Sequence, residues 1–179
     1  MLREVARKGA HTLLAGFFFF SAPYIGVGTT VILSCVLLAV FILYRAVIPG
    51  KRNIFAARRA SYGEFFFIAG VIGSAIIASQ NTALFQMSMV VLGLADPLAS
   101  LFGMHYGKHS YTVFKEKRTV EGSAACFAAL CGIFFISSTP ILFLILFAAV
   151  LTGVEAISPY GSDNFTLPLV TALLYSTII

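Results

Sequence analysis

Charge is what this sequence has least of. Only 11% of its 179 residues are Asp, Glu, Lys or Arg, against roughly 25% in soluble domains. With 59% hydrophobic residues and a mean hydropathy of +0.96, this excludes an ordinary soluble domain and makes the bilayer the solvent to reason with. Cysteine is sparse too. Cys35, Cys126 and Cys131 all sit in apolar runs and read as reduced packing residues. Cys126 and Cys131, five apart, are poorly placed to pair on one helix. No small-residue cleavage site cleanly follows the basic N-terminus, so no signal peptide is expected. No internal repeat is visible, which weighs against a transporter. No nucleic acid is expected as a partner.

What is present is a series of apolar runs, at about 9–25, 27–48, 62–79, 82–104, 122–138, 140–156 and 164–179. A span needs about 17–25 residues. The first four runs are adequate and the last three short, either as short helices or because the chain is a fragment. The expected fold is all-α: a polytopic transmembrane helical bundle of about seven spans, forming one integral-membrane domain over 1–179.

With seven spans, all twelve Lys and Arg residues fall on one side. The opposite loops, Ser21 to Thr29, Ser79 to Thr82 and Ser137 to Pro140, carry none. The positive-inside rule makes the charged side, and the N-terminus, cytoplasmic. The seven carboxylates lie on that side or at the helix ends beside it, although topology makes no demand on them. Glu64, Asp96, Glu121 and Glu155 border apolar runs, where an ionisable group is costly and marks function by default. The bland alternative is that individual acids pair with neighbouring cations.

The densest chemistry runs from Ala95 to Ser123. Asp96, Ser100, Gly103 and Gly107 share a helix side. Ala95, Ala99, Gly103 and Gly107 also form a small-residue stripe suited to close helix packing, so packing and close approach to a ligand are both open for the glycines. The stretch from Gly103 to Ser110 falls one residue short of a P-loop and follows an apolar helix instead of a strand, which excludes that motif. His105 and His109 lack further zinc ligands at matching spacing and read as loop histidines. Thr119 is placed to cap a helix with Gly122 at its third position. The free N–H groups there, beside Lys117 and Arg118, suit a phosphate; an ordinary basic loop touching lipid headgroups is the alternative. Pro159 and Gly161 force a turn, after which Asp163 and Asn164 can cap the next helix or ligate a hard cation. Capping leaves Glu155 unexplained, since an anion is disfavoured at a helix C-terminus. Near the N-terminus Arg7 and His11 share a face, next to Lys8.

Four blocks in order carry a resemblance: Arg7-Lys8-x-x-His11; the Asp96-Pro-x-Ala helix with Gly103 and Gly107-Lys108; Lys117-Arg118-Thr119-x-Glu121-Gly122-Ser123; and Glu155 with Gly161-x-Asp163-Asn164. Together they resemble the CTP-dependent prenol kinase family, which includes dolichol kinase, phytol kinase and yeast-type diacylglycerol kinase. The blocks run across nearly the whole chain. Arg118 stands where a second lysine is expected, keeping the charge but not its geometry. The short chain points to the compact phytol-kinase-like branch.

The resemblance implies a multi-pass membrane phosphotransferase that takes CTP, with Mg2+ or another divalent cation, and a lipid alcohol such as phytol, geranylgeraniol or dolichol, working at the cytoplasmic face among membrane lipids. On that reading Asp96, Glu121 and Asp163 are the expected metal ligands or base. Lys108, Lys117 and Arg118 are expected to hold phosphates, with Thr119, Gly122 and Ser123 giving close nucleotide contacts. Arg7, Lys8, His11, Ser100, Gly103, Gly107, Glu155 and Asn164 are further site candidates. The alternatives are diacylglycerol kinase, a phosphatidate cytidylyltransferase-like enzyme making a CDP-lipid, and, more remotely, a small transporter.

Overall fold

The computed structural model describes residues 2–47, 63–114 and 116–179. Among these residues seven helices carry the fold. They are α1 (Leu2–Ile25), α2 (Val27–Val47), α3 (Gly63–Ala78), α4 (Thr82–Tyr106), α5 (Val120–Ile136), α6 (Ile141–Ile157) and α7 (Asp163–Tyr175). They follow the seven apolar runs closely, because each run is long enough to satisfy its own backbone as a helix and is broken by turn-forming residues. Asn81 caps α4, its side chain accepting from the Leu84 N–H at 3.1 Å. Lys51, Arg52, Arg58, Arg59 and Lys115, used above to orient the chain, lie outside the described residues.

One element departs from the all-helical expectation. The basic segment between α4 and α5 is an antiparallel hairpin, β1 (Ser110–Val113) with β2 (Glu116–Thr119), in a register pairing Ser110 with Thr119 and Val113 with Glu116. Four-residue strands rich in charge carry too little apolar alternation to be distinguished from a loop.

By length and composition, α4 is the one described helix long and apolar enough to cross a membrane; stretches Val27–Leu43, Gly63–Ala78, Val120–Ile136 and Ile141–Ile157 are apolar but shorter. α4 is also the central element, packing against α1, α5 and α7. Two apolar clusters flank it. Phe18, Val71, Phe85 and Met89 join α1, α3 and α4, while Cys126, Leu130, Phe147 and Leu151 join α5 and α6 to α4 and α7.

The α4–α5 contact is backbone-close. A Cβ on Gly122 would lie 2.8 Å from the Ala99 carbonyl oxygen and 3.3 Å from the Gly103 Cα, and one on Gly103 would lie 2.8 Å from the Thr119 hydroxyl. These glycines are therefore packing residues, whatever else the adjoining cavity holds. Their absence of side chain lets the start of α5 sit directly against the last turns of α4.

A buried acid cluster as the candidate functional site

Three carboxylates from three helices meet in the interior. Asp96 of α4, Glu155 of α6 and Asp163 of α7 each direct an oxygen to a common point, those atoms lying within 4.8 Å of one another. They are 1%, 3% and 5% exposed. Three anions so buried need compensation, and two cations supply it. Lys8 of α1 donates to Asp96. Arg118 of β2 donates to Glu155, to the Ser158 carbonyl at 2.7 Å and to Asp163 at 3.4 Å. Burial alone would lower the Arg118 guanidinium, but Glu155 and Asp163 outweigh it and raise the group above its ordinary value. Its Nε is buried with no hydrogen-bond partner among the described residues.

Arg118 also explains Glu155. An acid at the C-terminal end of α6 is unfavourable against the helix dipole, and the guanidinium fork offsets this by binding the side chain and the following Ser158 carbonyl together. The hairpin places that fork: pairing of Tyr111 with Arg118 fixes β2, and Thr119 ends the strand as the cap of α5, accepting from the Gly122 N–H at 3.1 Å.

The cluster forms the floor of a cavity of about 640 Å³. Asp96 lies about 15 Å along α4 from its Tyr106 end, within the apolar run as its place in the sequence implied. Its lining also includes Ser100, Met104 and Thr119, and the cations Arg7, Lys8, Lys108 and Lys117. Tyr160 and Gly161 line it from the α6–α7 turn, where both take positive φ, 54° and 85°.

Most expected site residues gather here. Arg7, Lys8, Asp96, Ser100 and Gly103 line the cavity from α1 and α4, and Gly107 and Lys108 from the turn that follows α4. Lys117, Arg118, Thr119, Gly122, Ser123, Glu155 and Asp163 line it from the hairpin, α5, α6 and α7. The Ser123 hydroxyl is held at 2.6 Å by that of Tyr111. Three residues stand apart from the lining. Glu121 accepts from the His109 backbone N–H at 3.2 Å and from its ring Nδ1 at 2.8 Å, tying the start of the hairpin to the start of α5. Asn164 donates through Nδ2 to the Gly63 carbonyl at 3.0 Å, linking α7 to α3. His11 donates through Nε2 to the Leu92 carbonyl at 3.1 Å; a carbonyl only accepts, which fixes the tautomer. The carboxylate trio is thus Asp96, Asp163 and Glu155, with Glu121 serving the hairpin. Lys8, a site candidate from the N-terminal block, is the direct partner of Asp96. Tyr160 had no signal in the sequence beyond its place in a turn.

No protein-family model matches the chain, and no solved structure matches it. Among curated proteins, the chain is similar to a phytol kinase from Synechocystis sp., 28% identical over an alignment of 137 residues that covers 71% of this chain and 59% of that protein. The chain thus spans less than two thirds of the length of the curated relative it matches. The chain is thus similar, at low identity, to a phytol kinase, which supports its resemblance to the prenol kinases.

Proposed function

We propose that the chain is a membrane phosphotransferase that moves the terminal phosphate of CTP to the hydroxyl of a lipid alcohol such as phytol, geranylgeraniol or dolichol. The observation that carries this reading is the cavity, lined by a buried acid trio together with arginines and lysines. Phosphoryl transfer asks for positioning and charge neutralisation more than covalent chemistry. Cations along one wall suit a polyphosphate, and three oxygen donors from Asp96, Glu155 and Asp163 suit a hard cation such as Mg2+. When bound, such an ion would neutralise phosphate charge as the bond to the leaving group breaks.

This chain's own residues would do the rest. Lys108, Lys117 and Arg118 hold the nucleotide phosphates. One carboxylate of the trio, Asp96 in our reading, accepts the alcohol proton as its oxygen bonds the terminal phosphorus and CDP departs. Lys8, its direct partner, balances the Asp96 charge until then.

The multi-pass membrane topology belongs to the same proposal, as does the placement of the cavity mouth on the cytoplasmic side. It is supported by the outward faces of the helices, where Leu13, Phe20, Ile32, Phe135, Ile136 and Leu142 are between 66% and 84% exposed. Apolar exposure on that scale needs a lipid or protein cover.

The test is transfer of label from gamma-labelled CTP and ATP to a panel of lipid alcohols by purified protein in detergent with Mg2+. The expected result is a labelled lipid monophosphate made from CTP and lost with Asp96→Asn. Release of pyrophosphate without a labelled lipid would replace the kinase by a cytidylyltransferase; neither product in folded protein would refute both.

A further inference from the structure

The α1–α4 interface contains two matching backbone defects. Pro97 lies inside α4 and has no N–H to give the Gly93 carbonyl one turn before it. Pro23 lies inside α1 and likewise gives nothing to the Phe19 carbonyl. In an apolar interior a freed carbonyl is costly and must find another donor. Each finds it on the opposite helix. The Thr12 hydroxyl of α1 donates to the Gly93 carbonyl at 2.8 Å, and the Gln86 amide of α4 donates to the Phe19 carbonyl at 3.0 Å.

Thr12 also lies 3.1 Å from the Lys8 carbonyl of its own helix, but one hydroxyl proton makes one good bond, and the Gly93 carbonyl is the nearer acceptor. The crossing there is tight, since a Cβ on Gly93 would lie 2.8 Å from the Ala15 Cβ. Lys8 stands one turn before Thr12 on the same face, and Asp96 stands three residues beyond Gly93. The bond of Thr12 to Gly93, beside that of His11 to Leu92, lies about one turn from the contact of the Lys8 ammonium with Asp96.

We propose that Thr12 is a positioning residue of the cavity: by taking the carbonyl that Pro97 frees, it locks α1 against α4 and holds Lys8 at Asp96. Gln86 forms the matching clasp further down the interface, away from the acids. The consequence for turnover rests on the kinase reading above; the consequence for stability does not.

The test is a double-mutant cycle of Thr12→Val and Pro97→Ala in the full chain in detergent, with Thr12→Ser and Gln86→Leu beside it. Unfolding midpoint and transfer from gamma-labelled CTP to phytol are both read. Pro97→Ala restores an N–H to the Gly93 carbonyl and removes the need for Thr12. The expected result is that Thr12→Val lowers the midpoint and lowers kcat about tenfold, a factor in keeping with one buried hydrogen bond. KM for CTP should stay within about twofold, because Thr12 does not touch the nucleotide. Thr12→Ser stays near wild type. In the Pro97→Ala background, whatever that change does alone, Thr12→Val adds little to either loss. Gln86→Leu lowers the midpoint and leaves kcat within about twofold.

Equal effects of Thr12→Val in both backgrounds would overturn the proposal. So would a Thr12→Ser protein as impaired as Thr12→Val, or a Gln86→Leu protein as slow. If Thr12→Val fails to fold, a folded double variant supports the clasp and an unfolded one overturns it. If wild-type protein transfers no phosphate, the kinase reading fails, while the midpoint cycle still decides the clasp.

Discussion

Arg118→Met removes the fork that binds the α6–α7 turn to the hairpin while keeping much of the side-chain volume. The Glu155 and Asp163 side chains are 3% and 7% exposed, and that of Arg118 is 19%. Taking one partner from a buried ion pair costs about 3–5 kcal/mol, because the other charge is left without compensation. Arg118 reaches the cavity wall, which admits some solvent screening, so the lower end applies, about 3 kcal/mol. For a chain of this size each kcal/mol shifts the melting midpoint by about 2–4 °C, so the expected drop is about 6–12 °C. Far-UV circular dichroism in detergent is the suitable assay, since the chain has no tryptophan. Adding Glu155→Gln and Asp163→Asn to Arg118→Met removes the stranded charges and should recover at least half of the loss. A single variant melting within about 2 °C of wild type, or a triple variant no better than the single, would refute the claim that Arg118 acts by neutralising this cluster.

Gly122→Ala should destabilise the protein by about 1–3 kcal/mol, as its Cβ meets backbone that cannot move aside. Gly132→Ala, where nothing lies within 4 Å, should be neutral or stabilising by up to about 1 kcal/mol in the same melting assay. Chelation by EDTA should abolish phosphate transfer, with Mg2+ restoring it; Mg2+ should also raise the melting midpoint of wild type and not of Asp96→Asn. Glu121→Gln should lower transfer less than about tenfold, against a loss of about a hundredfold or more for Asp96→Asn, because only the latter stands in the acid trio. The reverse order would return Glu121 to the reaction.

The glycine comparison bears on how the sequence can be read. Gly103 and Gly122 stand out as small residues near charged ones, and the pattern supports both helix packing and ligand approach. Distances to Ala99 and Thr119 decide for packing, and that information is a relation between two helices. Of the two expected loop histidines, His109 lies in the loop before β1 and serves Glu121, whereas His105 lies in the last turn of α4 and bonds back to the Leu101 carbonyl at 3.1 Å. The capping role of Thr119 was legible for a local reason, since a capping oxygen and the N–H that donates to it lie three residues apart.

The sequence by itself determined the seven helical segments, because an apolar run must satisfy its own backbone and turn residues end it. It also determined that the acids matter, because a carboxylate in such a run is costly wherever the helix goes. Only the tertiary structure decided which acids meet. Position in a run gives depth along a helix but not its rotation or its neighbours, so which acid joins Asp96 and Asp163 is decided only when α5 turns Glu121 toward the hairpin and α6 turns Glu155 toward Arg118. The prolines show the same division. That Pro23 and Pro97 free the carbonyls of Phe19 and Gly93 follows from the chain alone, four residues back in each case. That Gln86 and Thr12 answer them, and so bring Lys8 to Asp96, depends on two helices far apart in sequence crossing in one register.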